Sequence, residues 1–257
     1  MPGSTIVTGM VLSAMPVGDY DKRLVILTKE LGRITAFAKG ARRPNSAFLA
    51  CSQPFSFGKF TLYGGKSYNV MQAEISNYFG ELRGDFNRLC YGLYFCEFAD
   101  YLTKENNDET NILKLLYQTL RALTKDSIEV ELIRGIFELK IMALNGEAPY
   151  VFGCVKCDKN QGKDSSPKEL QRSERYYFSV GGGGILCNQC KGFDKSAIPI
   201  QTSTLYTMQY IISKEIEKLY TFKVSSEVLG ELKLCMKRYL SGYVEHEFKS
   251  LDMVYDI

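Results

Sequence analysis

Two cysteine pairs, Cys154-Val-Lys-Cys157 and Cys187-Asn-Gln-Cys190, stand with 29 residues between them and constrain this chain more than any other feature. Each C-x-x-C lets one tight turn aim two sulfurs at a single point, so two such turns predict a tetrahedral four-thiolate site. Four thiolates fill the shell of a zinc ion and leave no position for water or substrate, which makes the expected role structural. The expectation is one Zn2+ per chain, held by Cys154, Cys157, Cys187 and Cys190 in a module at about 152–193. The gap exceeds the usual ~15–20 residues, and the excess is a polar Lys-, Ser- and Gln-rich stretch, Asp158–Arg175. Tyr176–Val180, Gly181–Gly184 and Ile185-Leu186 then read as a hairpin returning the second pair to the first. Cys51, Cys90, Cys96 and Cys235 lack such spacing and are expected to be small buried residues.

On either side of that module the hydrophobic period differs. Up to residue 80, apolar and β-branched runs alternate with turn signals, predicting strands at Thr5–Met15, Lys22–Thr28, Arg33–Lys39, Phe55–Tyr63 and Ser67–Ile75. Five short antiparallel strands suit a small closed barrel, with the OB-fold as first choice and an SH3-like barrel as the alternative. From Glu81 the spacing becomes three or four: Leu82, Phe86, Leu89, Leu93 and Cys96 fall on one helical face. Helices are expected at Asn111–Lys125, Ser127–Asn145, Thr202–Leu219 and Ser226–Leu251. The second of these is apolar around most of its circumference, so it should be central and covered by others. The predicted class is α+β: an N-terminal OB-type barrel at 1–80, then an all-α domain at 81–257 carrying the inserted zinc module.

Charge is uneven along the chain. Residues 1–80 hold nine lysines and arginines against four acids, and residues 81–257 hold 23 against 25. A basic first third is what a domain facing phosphates needs. Lys39, Arg42 and Arg43 fall in an expected inter-strand loop, where long cations can reach phosphates, and Lys22, Arg23 and Arg33 extend the patch. Phe55, Phe57, Phe60, Tyr63 and Tyr68 alternate as barrel-core aromatics do, although some could offer bases a stacking face.

Catalytic constellations are not found in the chain. The single histidine, His246, stands between two glutamates. Gly65-Lys66-Ser67 lacks the first glycine of a phosphate loop, because Phe60 stands there, and Gly181–Gly184 does not complete a dinucleotide fingerprint. No G-x-S-x-G elbow occurs. A non-enzymatic protein is expected. No apolar run reaches the ~20 residues of a membrane helix, and the first residues lack the pattern of a secretion signal, so a cytoplasmic location is expected.

Several elements together resemble the bacterial RecO family of DNA repair and recombination mediators. They are Gly18-Asp19-Tyr20-Asp21-Lys22, Lys39-Gly40-Ala41-Arg42-Arg43-Pro44-Asn45-Ser46, Gln53-Pro54-Phe55, Phe137-Glu138-Leu139-Lys140 with Ala148-Pro149, the cysteine pairs and Lys249-Ser250-Leu251. The resemblance implies an OB-fold, a helical domain with zinc, and binding of single- and double-stranded DNA. It also implies annealing of complementary strands, and two protein partners: RecR and the acidic C-terminal tail of single-stranded-DNA-binding protein. For a tail that is acidic and ends in apolar residues, Arg121, Arg134 and Lys140 on apolar helices are the candidate cationic rim. A zinc-ribbon RNA-binding factor and a protein-interaction scaffold are the competing classes.

Overall fold

The computed structural model describes residues 3–64, 67–157 and 175–255. Its elements in chain order are β1 (Ser4–Val17), β2 (Asp21–Thr28), β3 (Gly32–Ala38), β4 (Phe57–Gly64), β5 (Tyr68–Asn77), α1 (Phe86–Leu102), α2 (Thr110–Leu123) and α3 (Val130–Leu144). There follow β6 (Tyr150–Cys154), β7 (Tyr176–Ser179), β8 (Gly184–Leu186), β9 (Ile198–Ile200), α4 (Thr202–Ser213), α5 (Ser226–Tyr243) and α6 (Lys249–Tyr255). The polar stretch 158–174 and the Gly65-Lys66 part of the phosphate-loop fragment lie outside the described residues.

The first five strands close into a barrel in the order β1-β2-β3-β5-β4. β1 is long enough to pair with β2 through Gly9–Val17 and with β4 through Ser4–Met10. It bends at a bulge between Val11 and Ser13. Gly9 sits where the neighbouring strand comes closest; a Cβ there would lie 2.5 Å from the Leu27 carbonyl oxygen. Closure is made by a short parallel pairing of β3 with β5, Ala36 opposite Tyr68 and Phe37 opposite Asn69. The expectation of wholly antiparallel strands is corrected there. This is the OB-fold, and its interior is filled by Val7, Val11, Leu24, Ile26, Ile34, Phe60, Leu62 and Val70.

β4 starts two residues later than alternation predicts. Phe55 is buried with φ of +74°, a left-handed conformation no strand residue adopts, and its N–H donates to the Val11 carbonyl at 2.9 Å. Of the face expected from Leu82 to Cys96, Leu82 and Cys96 are buried, Leu89 and Leu93 are half-buried, and the buried side of α1 extends beyond it. Cys90, Tyr91, Tyr94, Phe95, Cys96, Phe98 and Ala99 are buried, whereas Phe86 is 53% exposed. The region expected as one helix from Ser226 to Leu251 is two, because α5 ends at Tyr243 with Val244 extended. α4 stops at Ser213, with Lys214 extended, rather than running on to Leu219.

By compactness the chain forms two units, Met1–Ser127 with Glu247–Ile257, and Ile128–His246. In the first, α1 and α2 accompany the barrel, and Phe248, just before α6, packs on Tyr94 and Phe98 of α1 at ring distances of 5.1 and 4.6 Å. In the second, every residue of α3 from Leu132 to Met142 is buried, as its all-round apolar pattern predicts. Gly135 lets Leu232 of α5 approach closely, since a Cβ would stand 3.0 Å from that side chain.

Candidate nucleic-acid interface and metal centre

The cysteine module is a four-stranded sheet in the order β6-β8-β7-β9. β7 and β8 form the expected hairpin, turned by Val180–Gly183 with Gly183 at φ +67°. β6 lies parallel to β8 with Cys154 opposite Ile185, and this brings Cys154 beside Cys187, just past the end of β8. β6 and β9 were not foreseen; they are five and three residues long, too short for a period to register.

All four sulfurs lie within 4.8 Å of one another. The Cys157 and Cys187 Sγ atoms are 3.8 Å apart, about the S···S edge that Zn–S bonds of ~2.3 Å give in a tetrahedron. The Cys187 N–H points at Cys154 Sγ at 3.4 Å, and the second turn is locked by the Cys190 N–H on the Cys187 carbonyl at 2.9 Å. Burial opposes ionisation of Cys154, but the N–H groups of Cys187, Lys156 and Cys157 outweigh it and bring the thiol down to about 6. Cys190 is pushed up to about 12, by loss of solvent and by the sulfurs around it. Four sulfurs this close, two from each C-x-x-C turn, are the donor set of a metal site, and the four cysteines can hold a metal ion. Cys51, Cys90, Cys96 and Cys235 are buried elsewhere, and burial raises each thiol, that of Cys235 to about 12.

On the barrel, the loop after β3 lies against the β1–β2 turn. The Arg42 backbone N–H donates to the Tyr20 carbonyl at 2.8 Å, and its guanidinium donates to the Gly18 carbonyl at 3.1 Å. The Arg43 guanidinium lies 5.0 Å from the centre of the Tyr20 ring. Asp21 accepts the Gly40 N–H at 2.7 Å, which pins the start of the loop where Gly40 takes φ +66°. Lys22 reaches the Ser52 carbonyl at 2.9 Å, and its ammonium is destabilised by burial and by the charge of Arg42. Arg42 and Arg43 thus meet at Tyr20, Lys22 lies near enough to Arg42 to feel its charge, and Lys39 is exposed at the head of the same loop. Among the described residues, neither Arg42 nor Arg43 has a carboxylate partner. Tyr20, 53% exposed, belongs to a segment that carries the family resemblance, but its place beside a basic loop shows only when the two turns meet.

Arg33 and Arg23 are elsewhere. Arg33 donates to the Thr103 carbonyl at 3.0 Å and pairs with Asp100 at 3.1 Å, holding β3 to the end of α1. Arg23 is exposed and approaches the Met15 sulfur at 3.6 Å. Of the five alternating aromatics, Phe55 and Phe60 are fully buried, Phe57 packs on Tyr117 and Tyr68 packs on the core, leaving Tyr63 46% exposed. Arg121 is exposed in the first unit. In the second, Arg134 is buried and bonded to Glu138 at 2.6 Å, and Lys140 is buried with its ammonium on two backbone carbonyls.

Comparison with known sequences decides the family. The profile described as Recombination protein O N terminal matches residues 1–79, and that described as Recombination protein O C terminal matches residues 83–252. The chain belongs to the recombination protein O family. The DNA repair protein RecO of Alkaliphilus metalliredigens is 36% identical over 247 residues, covering 95% of this chain and 96% of that one. The RecO proteins of Acetivibrio thermocellus and Moorella thermoacetica are 30% and 29% identical, covering 96% and 100% of this chain and 94% and 92% of theirs. The N-terminal recombination protein O match spans the barrel with its basic loop, and the C-terminal match spans all four clustered cysteines. No helix among the described residues is long and apolar enough to cross a membrane.

Proposed function

We propose that this chain is a DNA-binding recombination mediator that anneals complementary strands during recombinational repair, with residues 1–80 as its DNA-binding domain. The observation that carries the reading is the convergence of Arg42 and Arg43 on exposed Tyr20 of an OB barrel, with Lys22 near Arg42 and exposed Lys39 in the same loop. Cations without carboxylate partners suit phosphates of single- and double-stranded DNA alike, and carry no sequence information. Annealing follows the same chemistry, since two backbones approach only when their charge is neutralised. Arg23 and Arg33 would extend the interface, Arg33 only by leaving Asp100.

The metal is proposed to be one structural Zn2+ on Cys154, Cys157, Cys187 and Cys190, coupling the ends of the module; no catalytic role is assigned to it or to any side chain. RecR and the acidic tail of single-stranded-DNA-binding protein are the proposed protein partners, in the cytoplasm. For the tail, Arg121 offers an exposed cation, whereas Arg134 and Lys140 would have to give up Glu138 and the backbone carbonyls. The test is a strand-annealing assay on purified protein, with and without RecR. Acceleration over spontaneous pairing that responds to RecR is expected. No acceleration, or a preference for structured RNA over single-stranded DNA, would contradict the reading.

A further inference from the structure

Within the second unit, a cavity of about 550 Å³ opens between α4 and the start of α5. Tyr206 and Tyr210, one turn apart on α4, form one wall, and Phe222 stands edge-on to Tyr210 with ring centres 5.1 Å apart. Lys223 and the hydroxyls of Ser203 and Ser225 complete the rim. The Lys214 ammonium lies 5.6 Å from the Tyr210 ring centre, outside the cavity.

These groups are unevenly committed. Tyr210 donates to the Lys218 carbonyl at 3.3 Å, and Ser225 accepts the Val228 N–H as the cap of α5. Lys218 is held by Glu215 at 2.9 Å. Tyr206, 62% exposed, the Ser203 hydroxyl and the Lys223 ammonium have no partner among the described residues. An open aromatic face, a free hydroxyl and one free cation describe a ligand that is flat, rich in hydrogen-bonding edges and singly anionic per unit. Val224 and Val228 also line the cavity, but Lys223 is its one lining cation, and an acidic peptide would want several.

We infer that this cavity takes one unstacked nucleotide of a DNA strand, its base against Tyr206 and its phosphate at Lys223. The inference rests on the reading that the chain binds DNA, and it adds a second binding point in the unit that lacks the barrel. Stacking on aromatic faces is tolerant of sequence and strong enough to matter, each base being worth about 5- to 150-fold in affinity on alanine substitution. A chain with a binding point in each unit can engage two stretches of strand, which a single basic loop does not provide.

The test is ultraviolet crosslinking of the full-length protein to an oligothymidylate carrying 5-iododeoxyuridine, followed by peptide mapping. An adduct on Tyr206 or Phe222 is expected, and Tyr206→Ala should weaken binding at least about fivefold while Tyr206→Phe keeps it. Tyr206 is exposed, so an unchanged melting temperature is expected in both variants. Adducts confined to residues 1–80, with wild-type affinity in Tyr206→Ala, would overturn this inference and leave the barrel reading standing. Failure of the wild-type chain to retain the strand at all would overturn the DNA reading beneath it. A Phe-ended acidic peptide whose binding is lost in Tyr206→Ala, while strand binding is unchanged, would make the cavity a protein dock instead.

Discussion

The Lys140 ammonium donates to the carbonyl oxygen of Ile212 at 2.8 Å, in the last turn of α4. It also donates to the Lys214 carbonyl at 2.7 Å. At the other end of α4, Glu231 accepts the Gln201 N–H at 2.9 Å and the Thr204 hydroxyl. A cation at the C-terminus and an anion at the N-terminus oppose the helix dipole at both ends, and they satisfy groups no residue of α4 caps. Lys140→Met keeps the apolar stem but orphans two carbonyls, so it should cost about 1–3 kcal/mol. Arg121→Ala, on an exposed face, should stay within about 0.5 kcal/mol. Urea unfolding of the two variants checks the contrast, and equal midpoints would remove the capping role.

Metal content is predicted at one zinc per chain. Cys157→Ser should drop it well below one equivalent and lower the melting temperature by about 2–4 °C for each kcal/mol of binding free energy forfeited. Elemental analysis with a melting scan reads both, and wild-type protein purified without chelator yet free of metal would contradict the site.

Asp194 supplies a pH dependence. Its carboxylate accepts the Ser179 hydroxyl at 2.6 Å and the Ser196 hydroxyl and N–H at 2.7 and 2.8 Å, and these bonds hold its pKa below the usual carboxylate range. A carboxyl lowered on folding contributes stability that is present above its unfolded pKa of about 3.9 and is lost as pH falls through the lower folded value. Wild type should therefore exceed Asp194→Asn in stability at pH 7, with the difference shrinking below pH ~4. A difference that grows on acidification would contradict the assignment.

Much of this was legible in the residues, and the failures have physical causes. The four cysteines were readable because two C-x-x-C turns leave few alternatives to a shared point. The barrel strands were readable because alternation survives wherever one face is buried. Phe55 was misread since an aromatic at the right parity carries no mark of a positive φ. The extent of α1's buried side is not declared by spacing, because Cys90, Tyr91, Tyr94, Phe95 and Phe98 put apolar or aromatic side chains beyond the face of Leu82 and Cys96. Lys140 looked like a surface cation because the carbonyls that hold it belong to residues more than 70 positions away. Tyr20 carries no sequence sign of a binding role for the same reason: the loop that gives it one is remote in sequence.

The central claim is that the barrel loop holds DNA, and the salt dependence of Arg42→Ala with Arg43→Ala tests it most directly. Single-stranded DNA affinity should fall without a change of sequence preference, because phosphate recognition carries none. The slope of log affinity against log salt should flatten by about 0.7 for each phosphate no longer neutralised, so by about 1.4 for two. Thermal stability should fall only by what the exposed Arg42 bond to the Gly18 carbonyl and the Arg43–Tyr20 contact contribute, about 1–2 kcal/mol together. A double variant that keeps the wild-type salt slope while losing thermal stability would contradict the account, and the loop would then be a structural brace instead of the DNA site.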